Sequence, residues 1–171
     1  MAMTTHSGDL AELLAAAEFV RRGYTVSRPL TNGAPYDLLV DLGPSIKRVQ
    51  VKKSGITVTG AIRIVLSASK SHRGRAKVSY FGRVDCVVAV DCHTSEFFLV
   101  HGNDLQSNEI HVRRSLGKNN QALGVRLVDN YSLDAMFPLV LAESFSESCG
   151  DTVGLQMPIS GLRHRHAAMP Q

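Results

Sequence analysis

The sequence predicts an α/β fold: a mixed, mainly antiparallel central sheet flanked by helices. Three features point there. Apolar residues recur at helical spacing near the N-terminus, two-residue alternation runs through Ile46–Lys53, and residues 85–91 form a short, very apolar segment with the composition of a central strand. The chain has 171 residues and is 44% hydrophobic, enough for one core.

Ser7-Gly8-Asp9 precede a stretch in which Leu10, Leu13, Leu14, Ala17 and Val20 make an apolar helical stripe. Arg21 and Arg22 suit the negative end of a helix and Gly23 a stop, which predicts a helix over 9–22. Residues 24–28 read as a short strand ended by Pro29, and 31–35 have turn chemistry. Residues 36–42 and 46–53 are two strands joined by Gly43-Pro44-Ser45, an antiparallel hairpin. In its second strand Val49 and Val51 face one way, Gln50 and Lys52 the other.

Residues 55–60 read as a turn, and 61–67 as a strand with Ile62, Ile64 and Leu66 on one face. Strands are expected at 85–91 and 97–101, and weaker ones at 110–113 and 125–127. Short helices are expected after Gly102 and at 133–137. From 143 on the periodicity is lost, with Ser-rich residues 144–150 and scattered Gly and Pro. The expected organisation is one domain over 1–142 and a loosely structured tail over 143–171.

Composition excludes several classes. No run approaches the ~20 apolar residues of a membrane span, and no basic-then-apolar leader opens the chain. Three cysteines, Cys86, Cys92 and Cys149, make no disulfide framework, and a reducing cytoplasmic location is expected. The spacing of Cys86, Cys92 and His93 fits no zinc pattern, and Cys86 reads as a buried, inert thiol. The formal charge of +4 permits nucleic-acid binding. Between residues 70 and 83 lie Lys70, Arg73, Arg75, Lys77 and Arg83 with no acidic residue, a candidate phosphate-contacting surface or an ordinary solvated loop. Arg163, His164, Arg165 and His166 form a smaller basic cluster in the tail.

The hairpin carries the chemistry. With its turn centred near Pro44, Asp37 is expected opposite Lys52, with Gln50 diagonal to it, all at one edge of the sheet. Such neighbours lie about 5 to 8 Å apart. Phosphodiester hydrolysis requires a hard cation on oxygen ligands, a water nucleophile and stabilisation of developing charge. Asp37 and Gln50 supply oxygens; Lys52 orients or activates the water or stabilises the charge.

Tyr36-Asp37 followed by Val49-Gln50-Val51-Lys52 resembles the PD-(D/E)XK nuclease superfamily, with its restriction endonuclease-like core. Gly8-Asp9-Leu10-Ala11-Glu12 is similar to that superfamily's N-terminal helix, whose glutamate faces the active site. Gln50 in place of the second acidic residue resembles the branch of bacterial homing endonucleases encoded in group I introns. Tyr36 stands where the superfamily pattern has proline, with Pro35 one position early. The resemblance, over about 8–133, implies a Mg²⁺-dependent endonuclease (Mn²⁺ substituting) acting on double-stranded DNA. It implies Glu12, Asp37, Gln50 and Lys52 as catalytic residues, with Asp37 and Gln50 on the metal. Cutting both strands with one small domain implies a homo-oligomer, located on the nucleoid when bound. Restriction, resolvase and repair roles use the same core. The neutral Gln50 leaves a non-catalytic DNA-binding module as the rival, and Glu12 is a flank residue of its helix, well off the Leu10–Leu13–Ala17 stripe.

Overall fold

A computed structural model gives the fold and describes residues 3–31, 33–68, 78–116 and 123–140. Lys70, Arg73, Arg75, Lys77, Cys149 and the expected tail lie outside the described residues. The chain divides into two units, Met1–Leu141 and Ala142–Gln171, and all described residues belong to the first.

Helix α1 spans Met3–Arg21, and strands β1 (Thr25–Ser27), β2 (Leu38–Asp41) and β3 (Ile46–Lys53) follow. Then come β4 (Gly55–Ile56), β5 (Ile62–Val65), β6 (Ser67–Ala68), β7 (Val78–Ser79), β8 (Cys86–Asp91), β9 (Glu96–His101) and β10 (Glu109–Val112). The main sheet has the order β1-β2-β3-β8-β9. Its pairs are antiparallel except β3 with β8, so the expected mixed, mainly antiparallel sheet is present.

Alternation in the central strands feeds two cores. Val49 and Val51 of β3 and Cys86, Val88 and Val90 of β8 pack with Ala11, Ala15 and Phe19 of α1. Val87 and Ala89 of β8 and Phe98 and Val100 of β9 turn to the other face. There they meet Ile62, Ile64, Ile110 and Val112 of a second, antiparallel sheet, β10-β5-β4. A helix covers one face and a small sheet the other, so β8 is buried along its whole length. That double burial is why residues 85–91 lack alternation.

Several expectations are corrected. Most of the expected stripe is not the core face of α1: Leu10, Leu13 and Val20 are 45%, 58% and 60% exposed and of the stripe only Leu14 packs against the core, while Ala11, Ala15 and Phe19 are at most 1% exposed. The small alanines allow close approach to the sheet, and Phe19 fills the space at the C-terminal end, edge-on to Phe137 with ring centroids 4.7 Å apart. The helix also begins six residues earlier than residue 9. The strand expected at 61–67 is two, β5 pairing with β4 and β10, and β6 with β7. The turn expected at 55–60 includes β4. Residues 125–127 contribute only the isolated bridge between Leu127 and Arg113, whereas the short helices expected after Gly102 and at 133–137 are present as 3-10 helices at Gly102–Asp104 and Leu133–Ala135.

The hairpin register is also corrected. Leu38 pairs with Val49 and Asp41 with Ile46. Leu42 N–H donates to Ser45 O (2.9 Å), so the loop is Gly43-Pro44 alone. Gly43 has φ +86°, the left-handed value required at the first position of a type II′ turn. This loop is tighter than a turn centred on Pro44, and it moves the pairing by two residues. A shift of two preserves every face. The hairpin is also inside the sheet, between β1 and β8, and not at its edge.

Candidate active site

Continuing the observed register by one residue sets Asp37 opposite Gln50, with Lys52 now diagonal. Strand β2 stops at Leu38, leaving the Val51 N–H of β3 without a strand partner on that side. The Asp37 carboxylate takes its place: Oδ2 accepts from Val51 N (2.8 Å), while Asp37 N–H donates to Val49 O (2.9 Å). Asp37 is thus held at both its backbone and its side chain.

Gln50 is 5% exposed, and its Nε2 donates to Asp37 Oδ2 and to Val51 O (3.2 Å). The amide nitrogen therefore sits against two oxygens of different residues, a position that suits positive charge. Turning the amide presents Oε1 to the same place, since its two ends differ little in size. With the amide so turned, Asp37, Gln50 and the Val51 carbonyl could offer a set of hard oxygens to a divalent cation. Among the described residues no group of three or more His, Cys, Asp or Glu side chains forms a metal cluster. An amide and a carbonyl belong to this set, so such a cluster is not required.

Glu12 reaches this place from α1. It lies one residue beyond Ala11 on the flank of the buried face, and it lines a cleft of about 220 Å³ together with Arg28, Tyr36 and Asp37. The Glu12 carboxyl lies above its ordinary range, through burial first and then through the negative charge of Asp37, with Arg28 pulling it down. Burial likewise raises the Asp37 carboxyl against the pull of the Val51 N–H, Lys52 and Arg28. Two carboxylates held close in a partly dry cleft repel each other, and a cation between them relieves both.

Lys52 acts electrostatically on both Asp37 and Glu12. Its Nζ lies 5.0 Å from the ring centroid of Tyr80, a core residue that is 4% exposed. The structure therefore brings Glu12, Asp37, Gln50 and Lys52 together. Arg83 is exposed in the turn before β8. Asp41 accepts from Gly43 N in the hairpin loop, at the opposite end of β2. Cys86 is buried, and burial pushes its thiol up to about 12, so it is inert.

Sequence reasoning missed Arg28 and Tyr80. Arg28 Nη2 bonds Glu12 Oε2 at 2.5 Å across sixteen residues of separation. No periodicity or motif connects residue 28 to residue 12, or residue 80 to residue 52.

Residues 2–134 match the family described as PD-(D/E)XK endonuclease. No curated protein sequence matches the chain. Among solved structures the chain is similar to a bacterial homing endonuclease, I-Ssp6803I, with a TM-score of 0.64 and 22% identity over 76% of this chain and 88% of that one. At that identity the likeness speaks for the fold.

Proposed function

The chain belongs to the PD-(D/E)XK endonuclease family, and from that premise we propose that it is a homing-type endonuclease hydrolysing phosphodiester bonds of double-stranded DNA, with Mg²⁺ as cofactor and Mn²⁺ substituting. The observation that carries this reading is the convergence of Asp37, Gln50, Lys52 and Glu12, from one hairpin and one helix, on a single partly buried place. Fold likeness to a homing endonuclease supports the biological role.

Asp37 and Gln50 would hold the cation, with Glu12 as a second carboxylate beside them. When bound, the cation supplies Lewis-acid polarisation of the phosphate and neutralises charge in the transition state. Lys52, pinned above Tyr80, orients the attacking water and stabilises the charge that grows on the phosphoryl oxygens. The water oxygen bonds to phosphorus, one ester P–O bond breaks, and the displaced oxygen leaves with a proton. The basic residues Lys70, Arg73, Arg75, Lys77 and Arg83 are the proposed contacts to the DNA backbone. A homo-oligomer supplies the second site that a double-strand break requires.

Conversion of supercoiled plasmid to nicked and linear forms, with Mg²⁺ and with chelator, tests this. Chelator-sensitive cleavage lost in Lys52→Ala is expected. DNA binding without cleavage by any divalent ion would instead establish the non-catalytic DNA-binding module. Gln50→Glu restores a carboxylate to the donor set and is expected to bind Mn²⁺ more tightly than wild type in a titration without DNA. Equal or weaker binding would remove Gln50 from the ligands.

The Tyr80 contact has its own consequence. A cation over an aromatic ring is worth about 0.5 to 2 kcal/mol. Tyr80→Leu is therefore expected to lower kcat by about 2- to 30-fold with KM little changed, and Tyr80→Phe, which keeps the ring, to restore it. Equal losses in both variants would show that the ring does not position Lys52.

A further inference from the structure

Five charged side chains interact at the cleft: the carboxylates of Glu12 and Asp37, the Arg28 guanidinium beside them, the Lys52 ammonium, and Asp9, which acts on Glu12. Glu12 and Asp37 feel both cations. With Gln50 neutral, three carboxylates face two cations, so one negative charge is left over before any divalent ion arrives. A dication settling on the carboxylates leaves the site positive, which a substrate phosphate then neutralises.

Arg28 is placed to take part in that exchange. The pairing of Ser27 with Leu39, continued one residue, sets Arg28 level with Leu38 and next to Asp37. Pro29 follows and keeps its backbone extended. Its side chain is 57% exposed, against 23% for the Glu12 side chain it bonds. One Nη2 contact to Glu12 occupies part of a guanidinium that has five N–H donors. The rest of this planar fork, on a largely exposed side chain that lines the cleft, matches phosphate oxygens in a way an ammonium does not. An exposed pair with Glu12 adds little stability by itself.

We propose that Arg28 is a phosphate-binding residue of the active centre: it holds Glu12 in the metal-free enzyme, and it engages the substrate phosphate once a divalent cation takes the carboxylates. This rests on the metal-dependent nuclease reading above.

The proposal expects effects of opposite sign from one substitution. Arg28→Gln removes a cation that competes for the carboxylates, so Mn²⁺ titrated into the DNA-free protein binds about two- to fivefold more tightly. The same variant loses a charge-assisted contact to DNA, so its KM for duplex DNA with Mg²⁺ rises about tenfold or more. Arg28→Lys keeps the charge and loses the fork: Mn²⁺ affinity within about twofold of wild type, with a raised KM. It also keeps the test intact should Arg28→Gln fail to fold. Unchanged Mn²⁺ affinity in Arg28→Gln, or wild-type KM in both variants, overturns the proposal. A wild-type protein whose Mn²⁺ binding is absent, or is untouched by Asp37→Asn, fails at the earlier step and overturns the metal-centre reading itself.

Discussion

Asp37→Asn is expected to abolish cleavage, lowering kcat by about 10³-fold or more, while leaving the protein folded. The substitution keeps an oxygen to accept the Val51 N–H, so the end of the β2–β3 ladder stays capped. What it removes is the charge, the one property a hard cation needs most from this residue. Stability should move the other way. Burial raises the Asp37 carboxyl, so its ionised form costs the folded state stability at neutral pH. The sign follows from linkage: a carboxyl raised by folding gains stability as pH falls through its folded pKa. In thermal melts without divalent ions, Asp37→Asn should therefore match or exceed wild type at neutral pH. The difference should close as acid protonates the wild-type carboxyl. Adding Mn²⁺ should stabilise wild type alone, because a ligand that binds only the folded state adds stability. Wild-type turnover by Asp37→Asn would remove Asp37 from the centre.

Phe19→Ala is expected to cost about 3 to 5 kcal/mol of folding stability, a large part of the roughly 5 to 15 kcal/mol available to a small domain. Phe19 is fully buried and meets Phe137 edge-on, and Phe137 in turn meets edge-on Tyr24, whose hydroxyl bonds Pro138 O at 2.7 Å. Truncating Phe19 opens a cavity at the junction of α1, the main sheet and the 133–138 segment. Leu13→Ala is the matched control. Leu13 is 58% exposed, and its truncation should change stability by no more than about 0.5 kcal/mol. Chemical denaturation of both variants decides which face of α1 is the core face. A reversed order would mean the Leu10–Leu13–Ala17–Val20 stripe is covered and Phe19 is not.

That helix shows how far a sequence can be read. Its existence was legible from apolar recurrence and the glycine stop, but its orientation was not. Leu10, Leu13, Ala17 and Val20 make as regular a stripe as Ala11, Ala15 and Phe19. Only the fit of small alanines against a sheet chooses between them. The same choice positions Glu12: on the flank of the alanine face it reaches the cleft with Asp37, and with the leucine stripe buried it would have lain well off the core face.

The hairpin divides in the same way. Val49 and Val51 alternating with Gln50 and Lys52 determined β3, its two faces and the residues able to act together. The period of a strand is two, so sequence alone determines which side each residue takes. It does not determine register, because a loop of two residues and a longer one satisfy the same alternation. The two-residue loop at Gly43-Pro44 decided that Asp37 meets Gln50 and not Lys52. Arg28 and Tyr80 were decided by tertiary structure alone. Each acts on a residue far from it in the chain, through a guanidinium laid across a cleft and a ring packed under an ammonium. Local sequence carries the chemistry of each side chain and the face it takes on its own element. Which charges end up sharing one low-dielectric space is set when separate elements pack, and no local pattern encodes that distance.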